Sequence, residues 1–235
     1  MKVEIWSDVV CPWCYVGKRR FESALAGFEH KADVEIRWRS FELDPSAPPL
    51  RDGDPVQRLA DKYGMSRAKA QSMNDNLTAM AAVEGLDYHL DKVRSGSTFD
   101  AHRLLHLAAA HNLQGALKER LMLAYFTESE PVGDHETLVR LAVETGLDEA
   151  LVRATLASDD YAADVRADEQ QAAAYGISGV PFFVIDARYG VSGAQSAPVL
   201  LETLRKAWAD ANPLTMVAAD GTDQPGSCEG DSCAV

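Results

Sequence analysis

Val3-Glu4-Ile5-Trp6-Ser7-Asp8-Val9-Val10-Cys11-Pro12-Trp13-Cys14 is the stretch on which the fold turns. Its short apolar run, Val3 to Trp6, reads as a β-strand. The two thiols that close it lead directly into an amphipathic pattern in which Cys14, Phe21, Leu25 and Phe28 recur at near-helical spacing. A helix is expected from about Pro12 to Phe28, with Pro12 in the first turn, where its missing N–H costs nothing. Cys11 then stands at a strand-to-helix junction, facing unpaired backbone N–H groups that favour a thiolate. A thiolate there is a nucleophile toward disulfides, and Cys14, one turn further on, can displace the adduct. Cys-X-X-Cys sites lower the thiol pKa from about 8.5 into a range of roughly 3.5 to 7.5. Cys11 is expected to be the exposed attacking sulfur and Cys14 the more buried resolving one. Pro12 stiffens the turn, and Trp13 adds a flat apolar surface beside the sulfur.

On the far side of the helix, Asp33 to Phe41 alternates as a half-buried strand, with Val34, Ile36 and Trp38 on one face and Glu35, Arg37 and Arg39 on the other. A turn-rich linker, Asp44-Pro45-Ser46-Ala47-Pro48-Pro49, ends this β-α-β unit. From Asp54 to Tyr175 the pattern is almost entirely helical. Asp54-Pro55 is a cap followed by proline, with Gln57 at the capping-box position. Ser66 opens the next helix and Gly85 closes it; Thr98 or Asp100 opens a Leu- and Ala-rich one. Further helices are expected over 113–126, 135–145 (capped by Asp134), 148–156 and 160–175.

Strand chemistry returns at Pro181-Phe182-Phe183-Val184-Ile185-Asp186, with Arg188 to Ser192 as its hairpin partner. A last helix is expected from Ala197 to Asp210, with Val199, Leu200, Leu204 and Trp208 as its apolar set. The order β-α-β, helical block, β-β-α implies an α/β fold: one mixed sheet, with the block packed as a lid over an edge or end of it. The sheet unit is divided between residues 1–50 and 176–212, the helical insertion spans 51–175, and 213–235 form a Gly-, Asp-, Ser- and Thr-rich tail read as mobile. Ligands of such sheets bind at strand C-termini, where Cys11 lies. Val180-Pro181 also bears on the site. Proline is tolerated at a strand start, and a cis bond there would present the backbone of Val180 to a substrate peptide.

Composition narrows the function classes. Lys plus Arg number 23 against 36 Asp plus Glu, a net charge of −13, which argues against nucleic acid and anionic membrane as partners. No apolar run approaches a membrane span, and Glu4 interrupts what would be the apolar region of a secretory signal. The expected compartment is the cytoplasm, where structural disulfides are rare. Cys11/Cys14 and Cys228/Cys233 then point to redox or metal chemistry.

The stretches Ser7 to Cys14, Phe41-Glu42-Leu43-Asp44-Pro45, Gly179-Val180-Pro181-Phe182-Phe183 and Val191-Ser192-Gly193-Ala194-Gln195 together resemble the DsbA-like branch of the thioredoxin superfamily, in particular its FrnE-type members, from Met1 to Asp210. The resemblance implies a thioredoxin-like sheet with a large inserted α-helical domain. It also implies Cys11 and Cys14 as the redox pair and a cis Pro181. The activity implied is thiol–disulfide oxidoreductase, with disulfide isomerase activity as an extension. Protein or small-molecule thiols and disulfides are the expected substrates, and no cofactor is needed. Glutathione as co-substrate or a thioredoxin-type reductant is the expected partner. Kappa-class glutathione transferases and 2-hydroxychromene-2-carboxylate isomerase, which bind glutathione in the same cleft, are similar too. They carry serine where this chain has a cysteine, and two cysteines favour redox exchange.

Other readings compete. Cys228 and Cys233 are expected to exchange with Cys11/Cys14 as an intramolecular relay, or else to lie in an adventitious tail. The four sulfurs offer zinc-like spacings, but some two hundred residues separate the pairs. His102 and His106 are four apart on one helix face; packing is the preferred role, and no metal site is assigned. Asp8 is expected to satisfy loop N–H groups rather than act on a thiol proton. Met65, Met73 and Met80 are expected to pack within the insertion, and Trp6, Trp38 and Trp208 to form core or cleft wall. A non-catalytic peptide-binding holdase is the remaining class.

Overall fold

A computed structural model describes residues 1–213. The Cys228/Cys233 pair lies outside the described residues. The chain opens with β1 (Lys2–Ser7) and α1 (Pro12–Ala26), followed by β2 (Glu35–Ser40). The helical block comprises α2 (Pro55–Tyr63), α3 (Arg67–Val83), α4 (Phe99–Ala110), α5 (Gln114–Phe126), α6 (His135–Glu144), α7 (Glu149–Ala157) and α8 (Ala162–Ala174). The hairpin β3 (Phe182–Ile185) and β4 (Tyr189–Ser192) and the helix α9 (Ala197–Ala211) complete the described chain.

The strands form one mixed sheet ordered β2-β1-β3-β4, with β1 parallel to β2 and antiparallel to β3, and β3 antiparallel to β4. β1 is buried on both faces. Val3 and Ile5 pack with Phe21, Phe183, Leu200 and Leu204, beneath α1 and α9. Trp6 points the other way, into a cluster with Ala172, Ile177 and Val184, and its indole N–H donates to the Asp168 carbonyl at 2.9 Å. The fold is thus a thioredoxin-like sheet with a helical insertion, the architecture expected. The insertion has its own core, built from Leu104, Leu117, Leu121 and Leu138, and that core is continuous with Val9, Cys11, Cys14 and Tyr15. The two thiols of the sheet unit are therefore built into the hydrophobic core of the insertion.

Two polar clasps hold the insertion on the sheet. The Gln114 side-chain amide accepts from Trp38 N–H and donates to Trp38 C=O, both at 3.0 Å, so the start of α5 pairs with the edge strand β2 as another strand would. Asp168 on α8 accepts from Ser40 N–H at 2.9 Å and from Arg39 Nη1 at 2.6 Å, with His106 Nε2 at 3.1 Å.

The caps at Asp54, Ser66, Asp134 and Asp148 all accept an N–H of the first turn, as residue type dictates. Several side chains depart from expectation. Gln57 donates to Asp61 one turn further on rather than reaching back to the cap. Ile36 is 37 % exposed: β2 is an edge strand, and the buried part of its length is the half that carries Trp38 and Ser40. Met73 and Met80 on α3 and Val199 on α9 are exposed rather than packed. Among the described residues no helix is long and apolar enough to cross a membrane.

Candidate active site

β1 ends at Ser7, and the turn Asp8-Val9-Val10 delivers Cys11 as the N-cap of α1, its N–H bonded to Asp8 C=O at 3.3 Å. Cys11 is extended (φ −88°, ψ 113°), and its carbonyl accepts from Cys14 N–H at 3.0 Å, so the second thiol sits in the first helical turn. Both thiols are free. Both are also buried, Cys11 at 4 % and Cys14 at 1 % exposure, so the expected contrast between an open and a closed sulfur is nearly absent. The insertion is the reason. Tyr88, which precedes α4, donates its hydroxyl to Pro12 C=O at 2.7 Å and stacks on Phe126, roofing the start of α1. Trp13 is 41 % exposed and is the open apolar surface of the site.

The Val180-Pro181 peptide is cis, as the resemblance implied. Cys11 Sγ lies 3.6 Å from Val180 C=O. Pro181 rests on α1 at Gly17, where any Cβ would come within 2.9 Å of Pro181 Cγ; a glycine in mid-helix is explained by that close approach. Gly193 N–H donates to Pro181 C=O at 2.8 Å, and Arg20 on α1 donates to Ala194 C=O at 2.7 Å, tying this strand entry to α1. The structure thus brings together Cys11, Cys14, Val180 and Pro181, residues far apart in the chain, with Trp13 beside them.

The electrostatics of the pair run against expectation. Cys14's thiol beside it, and then burial, push the Cys11 thiol up, while a backbone hydrogen bond from Cys14 pulls the other way. Charge on the neighbouring Cys14 sulfur disfavours a second negative charge on Cys11. A helix N-terminus alone does not set the proton affinity here.

Beneath the thiols lies a polar cluster that the sequence pattern hides. Asp8 is buried; it accepts from Leu43 N–H at 2.8 Å and faces His102 Nε2 at 3.3 Å. Asp8 therefore does satisfy a loop N–H, although the loop is the one after β2. Hydrogen bonds and charge from His102 outweigh burial and hold its carboxyl below the usual range, while burial lowers the His102 pKa. His106 belongs to the Asp168 and Ser40 clasp, so the two histidines serve different partners. Lys118 on α5 is fully buried and donates to Ser7 C=O at 3.1 Å. Burial pushes its pKa down to about 8. The signal for it was present: Lys118, Leu121, Met122 and Tyr125 share one face of α5, so a lysine occupies an apolar stripe. Among the described residues no three His, Cys, Asp or Glu side chains are grouped so as to hold a metal ion. A separate cleft of about 730 Å³, lined among others by Leu50, Arg94, Phe99 and His135, includes none of the site residues.

The family description of the DSBA-like thioredoxin domain matches residues 2–205. The chain belongs to that family. A crystal structure of a probable DsbA oxidoreductase from Streptomyces coelicolor is 50 % identical, superposes with a TM-score of 0.87, and is matched over 100 % of this chain and 99 % of its own. The Bacillus subtilis protein YwbO is 34 % identical over 160 residues, 68 % of this chain and 73 % of YwbO. The cytosolic disulfide reductase DsbM from Pseudomonas aeruginosa, solved with GSH, shares the fold at 16 % identity and a TM-score of 0.62, over 88 % of this chain and 99 % of that one. This DsbA-like chain, then, combines a Cys-Pro-Trp-Cys turn with a buried lysine under it.

Proposed function

We propose that this DsbA-like protein is a thiol–disulfide oxidoreductase in which Cys11 attacks and Cys14 resolves. The observation that carries the proposal is the juxtaposition of two free thiols at the N-terminus of α1 with the Val180 carbonyl 3.6 Å from Cys11 Sγ. In the reductive direction the Cys11 thiolate attacks a substrate disulfide R–S–S–R′. A bond forms from Cys11 Sγ to RS, and R′S⁻ leaves with the electron pair. Cys14 then attacks Cys11 Sγ, RS⁻ departs, and the Cys11–Cys14 disulfide remains. Substrate is reduced by two electrons and the protein oxidised by two; substrate oxidation is the reverse. Trp13 supplies apolar contact to the substrate, and the Val180 and Pro181 backbone aligns a peptide beside Cys11. Isomerase activity follows if the Cys11 adduct is attacked by another thiol of the substrate before Cys14 reacts.

Glutathione or a thioredoxin-type reductant is the proposed recycling partner, in the cytoplasm, with no prosthetic group required. Trapping tests the core of the proposal. Cys14→Ser is expected to hold a stable mixed disulfide at Cys11 after exposure to oxidised glutathione or a cysteine-containing peptide, seen as an adduct by intact-mass measurement. Wild type treated alike should show little adduct once the exchange has run to completion. A Cys14→Ser protein that forms none rejects the mechanism.

The Cys228/Cys233 relay rests on the sequence and is proposed on that basis: a tethered dithiol benefits from an effective concentration in the millimolar range. Cys228→Ser with Cys233→Ser is then expected to slow multiple-turnover exchange severalfold. Unchanged turnover and redox equilibrium remove the relay.

A further inference from the structure

The attacking sulfur belongs to a residue only 4 % exposed, and its cover comes from the insertion. Residues 84–98, which join α3 to α4 without forming a helix or strand, carry Tyr88 to the peptide beside Cys11. The buried Tyr88 side chain donates its hydroxyl to Pro12 C=O at 2.7 Å. Its ring stacks on Phe126 at 4.7 Å and on Tyr15 at 6.2 Å, and Tyr15 and Phe126 are 6.0 Å apart, so three aromatic rings box in the first turn of α1. The segment is tied down on both sides of Tyr88. His89 N–H donates to Phe126 C=O at 2.8 Å, and Thr127 Oγ1 donates to Asp87 C=O at 2.6 Å. Arg20 of α1 donates to Glu84 at 2.6 Å and to Ala194 C=O at 2.7 Å, so the roof and the loop after β4 share one anchor. Val180 C=O, 3.6 Å from Cys11 Sγ, is a further wall, and Trp13 is the exposed neighbour.

We propose that Tyr88 is a specificity-determining residue: by roofing Cys11 it favours disulfides of short, slender peptides, glutathione among them, over disulfides lying flush with the surface of a folded protein. The inference rests on the thiol–disulfide mechanism above and narrows its substrate class. Exchange needs the attacking thiolate in line with the target S–S bond, so the atoms on both sides of that bond have to clear the walls around Cys11. A tripeptide thiol can thread its sulfur in beside Trp13 while its backbone stays at the mouth. A disulfide flush with a folded surface brings that surface with it, and the surface meets Tyr88 and the chain on either side before the sulfurs meet. Selectivity of this kind comes from a clash against the wrong partner, not from an added contact to the right one. The insertion thereby sets which molecules reach a nucleophile that the sheet unit supplies.

The experiment compares the parent protein with Tyr88→Ala and Tyr88→Phe, all full-length and all carrying Cys228→Ser and Cys233→Ser so that only Cys11 and Cys14 react. Each reduced protein is mixed either with oxidised glutathione or with a folded carrier protein whose one surface cysteine is held as its glutathione mixed disulfide, and oxidation is followed by rapid quench and mass measurement. The parent is expected to react at least about tenfold faster with oxidised glutathione. Tyr88→Ala should narrow that ratio to about threefold or less by speeding the carrier reaction, with the glutathione rate changed less than about threefold. Tyr88→Phe, which keeps the ring and loses the bond to Pro12, should lie between them. Iodoacetamide followed by peptide mapping should label Cys11 and leave Cys14 protected in every folded variant. A parent that does not discriminate overturns the proposal, as does a ratio unchanged in Tyr88→Ala. So does a narrowed ratio accompanied by labelling of Cys14, which marks general loosening of the fold. If Tyr88→Ala fails to fold, Tyr88→Phe decides: an unchanged ratio there overturns the proposal. A parent that reacts with neither disulfide instead overturns the redox mechanism, so the two failures are distinct.

Discussion

Cys11→Ser is expected to drop disulfide exchange to the uncatalysed background while the protein stays folded. The hydroxyl has the same shape on a slightly shorter bond, and Val180 C=O stands ready to accept from it, as it does from the thiol. The stability change should therefore stay within about 1 kcal/mol. Chemistry is lost because a serine hydroxyl ionises far less readily than a cysteine thiol, and because it forms no disulfide. Insulin reduction with glutathione and a denaturant melt measure the two quantities. Retained exchange sinks the assignment of Cys11. Glutathione-dependent isomerase activity that survives or rises in Cys11→Ser supports the kappa-class alternative. Peptide binding kept without any redox turnover in wild type supports the holdase.

Asp168→Ala is expected to cost about 3–5 kcal/mol of stability, the usual effect of removing one member of a buried charge pair. The carboxylate is nearly inaccessible and serves Ser40 N–H, Arg39 and His106 together. Its loss strands a buried backbone donor and leaves Arg39 with Glu4 alone. For a chain of this size the thermal midpoint should fall by on the order of 10 °C. Asp168→Asn, which retains an oxygen for Ser40 N–H but turns an amide toward Arg39, should lose less. Hydrogen bonds from His106 and Ser40 and the charge of Arg39 outweigh burial and hold the Asp168 pKa below the ordinary carboxylate value. The stabilisation it contributes is therefore complete above the unfolded pKa of about 3.9 and disappears as pH falls through the lower, folded value. The alanine variant should lack that acid-dependent part of the melting curve. A variant that melts with wild type shows that the clasp does not hold α8 to the sheet.

The two clasps and the partners of the buried lysine were the features least visible in the chain. Asp8 and His102 meet across 94 positions, and Ser7 and Lys118 across 111. Local periodicity carries no information about such pairs. Gln114 looked like an ordinary helix-start residue, yet its amide closes a strand edge. By contrast the helix after Cys11, the capped starts at Asp54, Ser66, Asp134 and Asp148, and the hairpin following Pro181 were all readable within a few residues of themselves. The exposures of Ile36, Met73 and Met80 escape the pattern for one reason. An apolar residue at the right spacing says which face it shares, not whether another element arrives to cover that face.

Residue order by itself determined where strands and helices form, where two thiols sit relative to a helix start, and which proline faces them through family likeness. Those properties arise from dihedral preferences, capping bonds and side-chain periodicity, all of which act over one or two turns. Tertiary structure alone decided that both thiols are buried, that the proton affinity of Cys11 rises rather than falls, and that a lysine from the insertion lies beneath them. Desolvation and charge act through space, and the groups that exert them here come from segments that only the completed fold brings within reach.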